Sequence, residues 1–93
     1  MHKLGSWEIE QFKTTGLPQG VQSAFTNITG DMTGADYQPV LYCGHQVVNG
    51  INHCILCLQR IIIPEEDYRL VKMIIHEDTD GAASLVSVSK VAL

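Results

Sequence analysis

The stretch Gln46-Val47-Val48-Asn49-Gly50-Ile51-Asn52 lies near the middle of the chain, between two long runs rich in β-branched residues. An Asn-Gly pair between two such runs is the strongest short-range signal for a β-hairpin, because both residues tolerate positive φ. The sequence therefore predicts that the fold is organised around an antiparallel hairpin with its turn close to residues 49 and 50.

Two registers of this hairpin are compatible with the sequence. A two-residue turn at the Asn-Gly pair places Val48 opposite Ile51, and hence His45 opposite Cys54. A wider loop over residues 47–50 shifts the pairing and places Cys43 opposite Cys54 instead. Because side chains alternate between the two faces of a strand, each slip of one residue changes every facing pair.

One helix is predicted before the hairpin. Pro18 suits the first helical position, where its missing N–H would be unsatisfied in any case. Apolar residues then recur at helical spacing, and they form a single stripe: Val21, Ala24, Phe25 and Ile28. Gly30 is expected to adopt the left-handed conformation that commonly ends a helix.

The remaining periodic segments predict strands, with one ambiguity. The predicted strands are Trp7–Phe12, Tyr37–Gln46, Ile51–Ile63, about Tyr68–Glu77 and Leu85–Val91. The ambiguous segment begins at Pro64, since a helix starting there would place Leu70, Val71, Ile74 and Ile75 on one face. A strand, a helix and then an antiparallel meander is the α+β layout in which one sheet wraps a single helix.

Composition limits the class of protein. A chain of 93 residues predicts a single domain, 1–93, and its net charge of −4 with scattered basic residues argues against nucleic acid and anionic membranes as partners. The longest aliphatic run, Ile61–Ile63, is too short to span a bilayer, and no apolar signal segment follows Lys3. The odd number of cysteines, three, favours a reducing compartment, so a cytoplasmic location is expected.

The stretch that begins at Gln46 resembles the protease-blocking hairpin of the cystatins, and most of all that of their disulfide-free branch, the stefins. Asp67-Tyr68 followed by Lys72 is similar to the start of the next stefin strand, which favours a strand there. Leu4-Gly5-Ser6-Trp7 resembles the glycine-containing trunk that precedes the first elements of the family. The resemblance implies a cystatin-like α+β fold, with one α-helix packed on a curved four- to five-stranded antiparallel sheet.

The same resemblance implies a reversible, tight-binding inhibitor of papain-like cysteine proteases, with no catalytic residues and no cofactor. Val47 and Val48 would supply apolar surface, and Gly50 would let the backbone approach the enzyme closely. The turn at 77–81 carries three carboxylates where the family has an apolar Leu-Pro or Pro-Trp element. The residues expected to contact a protease are Leu4, Gly5, Ser6, Gln46, Val47, Val48, Asn49, Gly50, Asp80 and Gly81.

The cysteines and histidines suggest two other kinds of site. Cys43, His45, His53 and Cys54 could converge across the hairpin as metal ligands, although ordinary buried thiols are the commoner state and no metal is expected. Cys54 and Cys57 fall within a predicted strand, where residues three apart point to opposite faces. A nucleophilic pair of Cys57 and His53 would lie in that packed strand, so an enzyme is not expected.

A non-inhibitory binding or dimerisation module on the same fold is the alternative to a protease inhibitor. Such a module would use an exposed edge or face of the sheet. A homodimer by domain swapping fits this alternative if the hairpin opens and the helix and first strand exchange between two chains.

Overall fold

A single helix lies against one face of an antiparallel sheet in the computed structural model, which describes residues 5, 7–9, 16–62 and 67–92, with only the backbone described at 8 and 9. Within these ranges the elements are β1 (Trp7–Ile9), α1 (Gln19–Gly30), β2 (Ala35–Val48), β3 (Gly50–Ile61), β4 (Asp67–Glu77) and β5 (Ala83–Lys90). The five strands follow one another across the sheet in chain order. The predicted α+β class, one helix packed on an antiparallel sheet, is confirmed.

The helix forms where the apolar stripe predicts it, but both of its ends differ from the prediction. Pro18 is the residue before the helix, with φ −54° and ψ 147°, and its carbonyl accepts the first helical hydrogen bond, from Gln22 N. Gly30 is the last helical residue rather than a left-handed cap. The helix ends at Asp31, which keeps a helical φ of −90° and donates its N–H to Ile28 O. The left-handed glycine comes later, at Gly34 (φ +84°).

The core lies between α1 and the two central strands. Every second side chain is buried over residues 53–57 of β3 and residues 71–75 of β4. The buried apolar set of the core is Val21, Ala24, Phe25, Ile55, Cys57, Val71, Met73 and Ile75. This period of two along 71–75 identifies the ambiguous segment as a strand. The other sheet face, called the open face below, carries Cys54, Leu56, Leu58, Lys72 and Ile74. No helix among the described residues is long and apolar enough to cross a membrane.

Neither predicted register of the first hairpin is correct. Val47 lies opposite Ile51 and Val48 opposite Gly50, so Asn49 alone occupies the tip. Gly50 has φ +97°, and a glycine in a left-handed conformation is the residue that closes a three-residue hairpin connection. The sequence signal located the turn correctly, but the connection that forms is neither the two-residue turn at Asn49-Gly50 nor the wider loop over residues 47–50.

Two irregularities in β2 move the pairing further from the predictions. The ladder to β3 skips Val40 and then Cys43, so that Gly44 rather than Cys43 lies opposite Cys54. The first irregularity, at Val40, lies next to Pro39, which has no N–H to donate to a ladder. Such bulges place an extra residue on one strand and turn its side chain toward a face that strict alternation would not give it.

Gly50 provides a test of this register. A Cβ at Gly50 would collide with the carbonyl oxygen of Glu77 and lie 3.0 Å from the Cα of Asp78, whereas a Cβ at Gly81, which also has positive φ (+88°), meets nothing within 4 Å. We expect Gly81→Ala to lower the free energy of unfolding by about 1 kcal/mol, through backbone strain alone. Gly50→Ala adds a steric clash with main-chain atoms, so we expect a loss of roughly 2–4 kcal/mol. Chemical denaturation of both variants measures the difference, and equal losses would contradict the register.

Candidate functional site

Three segments meet at one end of the sheet. In an antiparallel sheet ordered β1 to β5, the hairpin joining β2 to β3 and the hairpin joining β4 to β5 fall at the same end. β1 begins there as well, because Trp7 pairs with Gln46. We call this region the hairpin edge and define it as Gly5, residues 46–50 and residues 78–82. Every described residue expected to contact a protease belongs to it, while Leu4 and Ser6 lie outside the described residues.

Two hydrogen bonds hold Gly5 alongside the first hairpin. The N–H of Gly5 donates to the carbonyl oxygen of Val47 at 2.7 Å, and Nε2 of Gln46 donates to the carbonyl oxygen of Gly5 at 2.6 Å. The backbone of Gly5 is therefore paired on both its donor and its acceptor. Gly5 and the hairpin tip therefore form one surface.

A row of polar side chains continues from Gln46 across the open face. Nδ2 of Asn52 donates to Oε1 of Gln46 at 2.9 Å, and His76 donates from Nδ1 to Oδ1 of Asn52 at 2.8 Å, because an amide oxygen only accepts. The three residues also pair in register across β2, β3 and β4. The Gln46 side chain therefore makes hydrogen bonds within the chain, to Gly5 and to Asn52.

A second polar row lies on the helix face, under the same hairpin. The Tyr42 hydroxyl lies 2.8 Å from His53 Nδ1, and His53 Nε2 lies 3.4 Å from Glu77 Oε1. These contacts fit a tautomer that accepts from tyrosine and donates to the carboxylate. His53 is only 6% exposed, so the imidazole acts as a structural link between three strands. No signal in the sequence indicated the contacts of His53 with Tyr42 and Glu77, because they depend on which residues face each other.

The metal site considered from the sequence does not assemble. His45 and His53 pair with each other and lie on the helix face, whereas Cys43 and Cys54 line a pocket on the open face. The two pairs are therefore separated by the thickness of the sheet. Among the described residues, no group of three or more histidine, cysteine or carboxylate side chains could hold a metal ion.

The second hairpin is shaped by one of its own carboxylates. Asp78 Oδ1 accepts from the backbone N–H groups of Asp80 and Ala82, each at 3.0 Å, and so closes the turn. Glu77 is paired with His53, as described above. Of the three carboxylates expected at this turn, Asp80 is the exposed one that lies at the turn itself. The negative charge offered to a partner is therefore smaller than the sequence implies.

The tip of the first hairpin combines apolar exposure with close packing behind it. Val47 is 41% exposed and Asn49 is exposed, while Val48 and Gly50 are half-buried. The main chain of Gly50 lies directly against that of Glu77 and Asp78. The tip is thus narrow, apolar on one side and supported by the second hairpin.

Comparison of this chain with models of known protein families, with curated proteins and with solved structures gives no match.

Burial raises the pKa of two thiols of β3 above the ordinary value of 9.0. The pKa of Cys57 rises to about 12, mainly through burial and also through the neighbouring Cys43 and Cys54. The pKa of Cys54 rises to about 11, through burial and then through the charge and hydrogen bond of Cys43, while Lys72 lowers it. Both thiols are therefore protonated in the neutral range.

These raised pKa values predict a loss of stability at alkaline pH. Below pH 9.0 both the folded and the unfolded chain keep Cys57 protonated, so its contribution to stability is fully present. Between pH 9.0 and about 12 only the unfolded chain ionises it, and the free energy of unfolding falls by at most about 1.4 kcal/mol per pH unit for this thiol. Denaturation at several pH values should show a shallower alkaline decline in Cys57→Ala than in the unaltered chain. Parallel declines would contradict this.

The contact between Gln46 and Gly5 gives a second prediction. Gln46→Ala removes the side chain that holds the Gly5 carbonyl, so we expect faster amide hydrogen exchange at Gly5 and a loss of about 1–2 kcal/mol in the free energy of unfolding. Gln38→Ala is the matched control, because Gln38 is an exposed glutamine of the same strand. Hydrogen exchange followed by mass spectrometry compares the two, and unchanged exchange at Gly5 in Gln46→Ala would rule out this role.

Proposed function

We propose that this chain is a reversible inhibitor of papain-like cysteine proteases and that the hairpin edge is the part that enters the cleft of the enzyme. The observation that carries the proposal is the pairing of Gly5 with Val47 and Gln46, which joins Gly5 to the hairpin tip in one surface. The order of strand, helix and four antiparallel strands in one sheet also supports a cystatin-like fold.

The hairpin edge is held in shape before any partner binds. On the open face, the polar row from Gly5 to His76 joins Gly5 to β4. On the helix face, the row from Tyr42 to Glu77 joins β2 to β4. Little conformational entropy would then be lost on docking, and preorganisation of this kind is a main source of affinity in rigid inhibitors.

The exposed surface of the tip suits an apolar cleft. Full desolvation of an aliphatic side chain such as Val47 contributes on the order of 1.5–3 kcal/mol. A hairpin also presents its main chain at an angle that keeps a scissile bond away from the nucleophile. Asp80 lies at the neighbouring turn and favours a protease whose cleft has a basic rim.

Titration of a papain-like protease tests the proposal. We expect stoichiometric loss of proteolysis with the unaltered chain, and Val47→Asp should weaken inhibition about ten- to a hundredfold, because it places a charge in the apolar groove. Val40→Asp is the matched control, since Val40 is 57% exposed on the same strand and lies away from the hairpin edge.

Unchanged proteolysis at high excess of the chain would contradict the proposed function. Equal weakening by both aspartate variants would contradict the assignment to the hairpin edge.

A binding or dimerisation module is the second candidate, and strand β5 is the observation that favours it. β5 is the last strand of the sheet, has no charged residue between Ala83 and Ser89, and exposes 40% of Leu85 and 55% of Val86. Uncharged, exposed edge strands are templates for pairing with another strand. The protease titration separates the two candidates. A module that acts only by pairing through β5 would not inhibit proteolysis.

A further inference from the structure

A pocket on the open face of the sheet brings two thiols together. It has a volume of about 230 Å³ and is lined by Trp7, Cys43, Cys54, Lys72 and Ile74. These residues come from β1, β2, β3 and β4, so the pocket depends on the folded sheet. It is separate from the hairpin edge and from the proposed contact with a protease.

The bulge in β2 is what places the thiols next to each other. Gly44 lies directly opposite Cys54, and Cys43 is the extra residue just before it. The Cys43 thiol donates weakly to the carbonyl oxygen of Leu41 at 3.9 Å, and the side chains of Cys43 and Cys54 line the same pocket. A bulge turns its extra side chain toward a face that strict alternation would not give it, and here it brings the Cys43 thiol to the face that carries Cys54.

The third cysteine differs from these two in its exposure and in the face of the sheet on which it lies. Cys43 and Cys54 are half-buried free thiols that open into the pocket, whereas Cys57 is 0% exposed and points into the core on the helix face. A reagent that enters the pocket therefore meets two thiols and not the third. Cys57 therefore serves as an unreactive control thiol within the same chain.

Lys72 and Trp7 define what the pocket would accept. Lys72 lines the pocket, and its ammonium attracts an anionic ligand. Its charge also lowers the pKa of Cys54, although burial and Cys43 keep that pKa raised to about 11, so only a small fraction of Cys54 is thiolate at neutral pH. Trp7 is the only tryptophan in the chain and supplies a flat apolar wall. A small disulfide that carries carboxylates matches both features.

We propose that Cys43 and Cys54 form a dithiol site that exchanges with low-molecular-weight disulfides carrying carboxylates. In the first step one cysteine thiolate attacks the small disulfide, forms a mixed disulfide and releases one small thiolate. In the second step the other cysteine thiolate attacks the protein sulfur of the mixed disulfide, forms the Cys43–Cys54 bond and releases the second small thiolate. The two cysteine thiols are oxidised, the small disulfide is reduced to two thiols, and the two protons pass to the released thiolates.

The product bond would close a loop that contains the end of the first hairpin, including its tip. Constraining residues 43–54 in the unfolded chain removes conformational freedom that the folded chain lacks already. For a loop of this length in a domain of this size, the midpoint of thermal unfolding should rise by on the order of 10 °C. Oxidation of the pair would therefore make the first hairpin harder to open.

Exchange with oxidised glutathione tests the site in the full-length chain. After reaction of the reduced chain, we expect the titratable thiols under denaturing conditions to fall from three to one and peptide mapping to find a Cys43–Cys54 bond. Trp7 fluorescence should fall at the same rate, because a disulfide in contact with an indole quenches it. Cys57→Ala should form the same bond, whereas Cys43→Ser and Cys54→Ser should each stop at a mixed disulfide with glutathione.

Lys72→Gln tests the chemical class of the ligand. We expect exchange with oxidised glutathione to slow about three- to fivefold, through loss of one partly screened charge. Exchange with uncharged bis(2-hydroxyethyl) disulfide should keep its rate. Equal slowing with both reagents would overturn the preference for carboxylates.

Two results would overturn the dithiol site itself. One is a chain that still titrates as three thiols after prolonged incubation with excess disulfide. The other is a stable mixed disulfide on the unaltered chain, because the second thiol then fails to resolve it. Circular dichroism of each serine variant confirms that the fold is kept, and protease titration of the reduced chain keeps the outcome separate from inhibitory function.

Discussion

The close approach of Gly50 to the main chain of Glu77 and Asp78 is the constraint on which the shape of the hairpin edge depends. It fixes the first hairpin against the second and selects the register in which Val47 faces Ile51. That register decides which residues face each other across β2 and β3 and on which face each side chain lies, since a shift of one residue would move each side chain to the other face. Gly50 therefore has a structural role in addition to any role at a protease surface.

The two faces of the sheet have separate chemistry because of this register. On the helix face, the buried His53 joins Tyr42 to Glu77 and continues the apolar core toward the hairpin edge. On the open face, the amide row anchors Gly5, and the thiol pocket lies farther along the strands. A protease contact at the hairpin edge and thiol exchange in the pocket would therefore use different residues. Both sites include residues of the first hairpin.

The sequence predicted element types better than it predicted partners. The helix stripe, the strand order and the position of the first turn follow from local periodicity and from the Asn-Gly pair, and the structure has all three. The ends of the helix, the bulges at Val40 and Cys43, and the internal use of Gln46 were not predicted. Each of these depends on hydrogen bonds to residues far away in the chain, which periodicity does not reveal.

The sequence by itself determined an α+β layout with a hairpin at residues 46–52, because side-chain period and turn preference are local properties of the chain. Only the tertiary structure decided that Asn49 alone occupies the tip, that Cys43 lies beside Cys54, and that Gly5, Gln46, Asn52 and His76 form one row. The physical reason is that the pairing register is set by packing between strands, here by the contact of Gly50 with β4, and no local signal specifies such a contact.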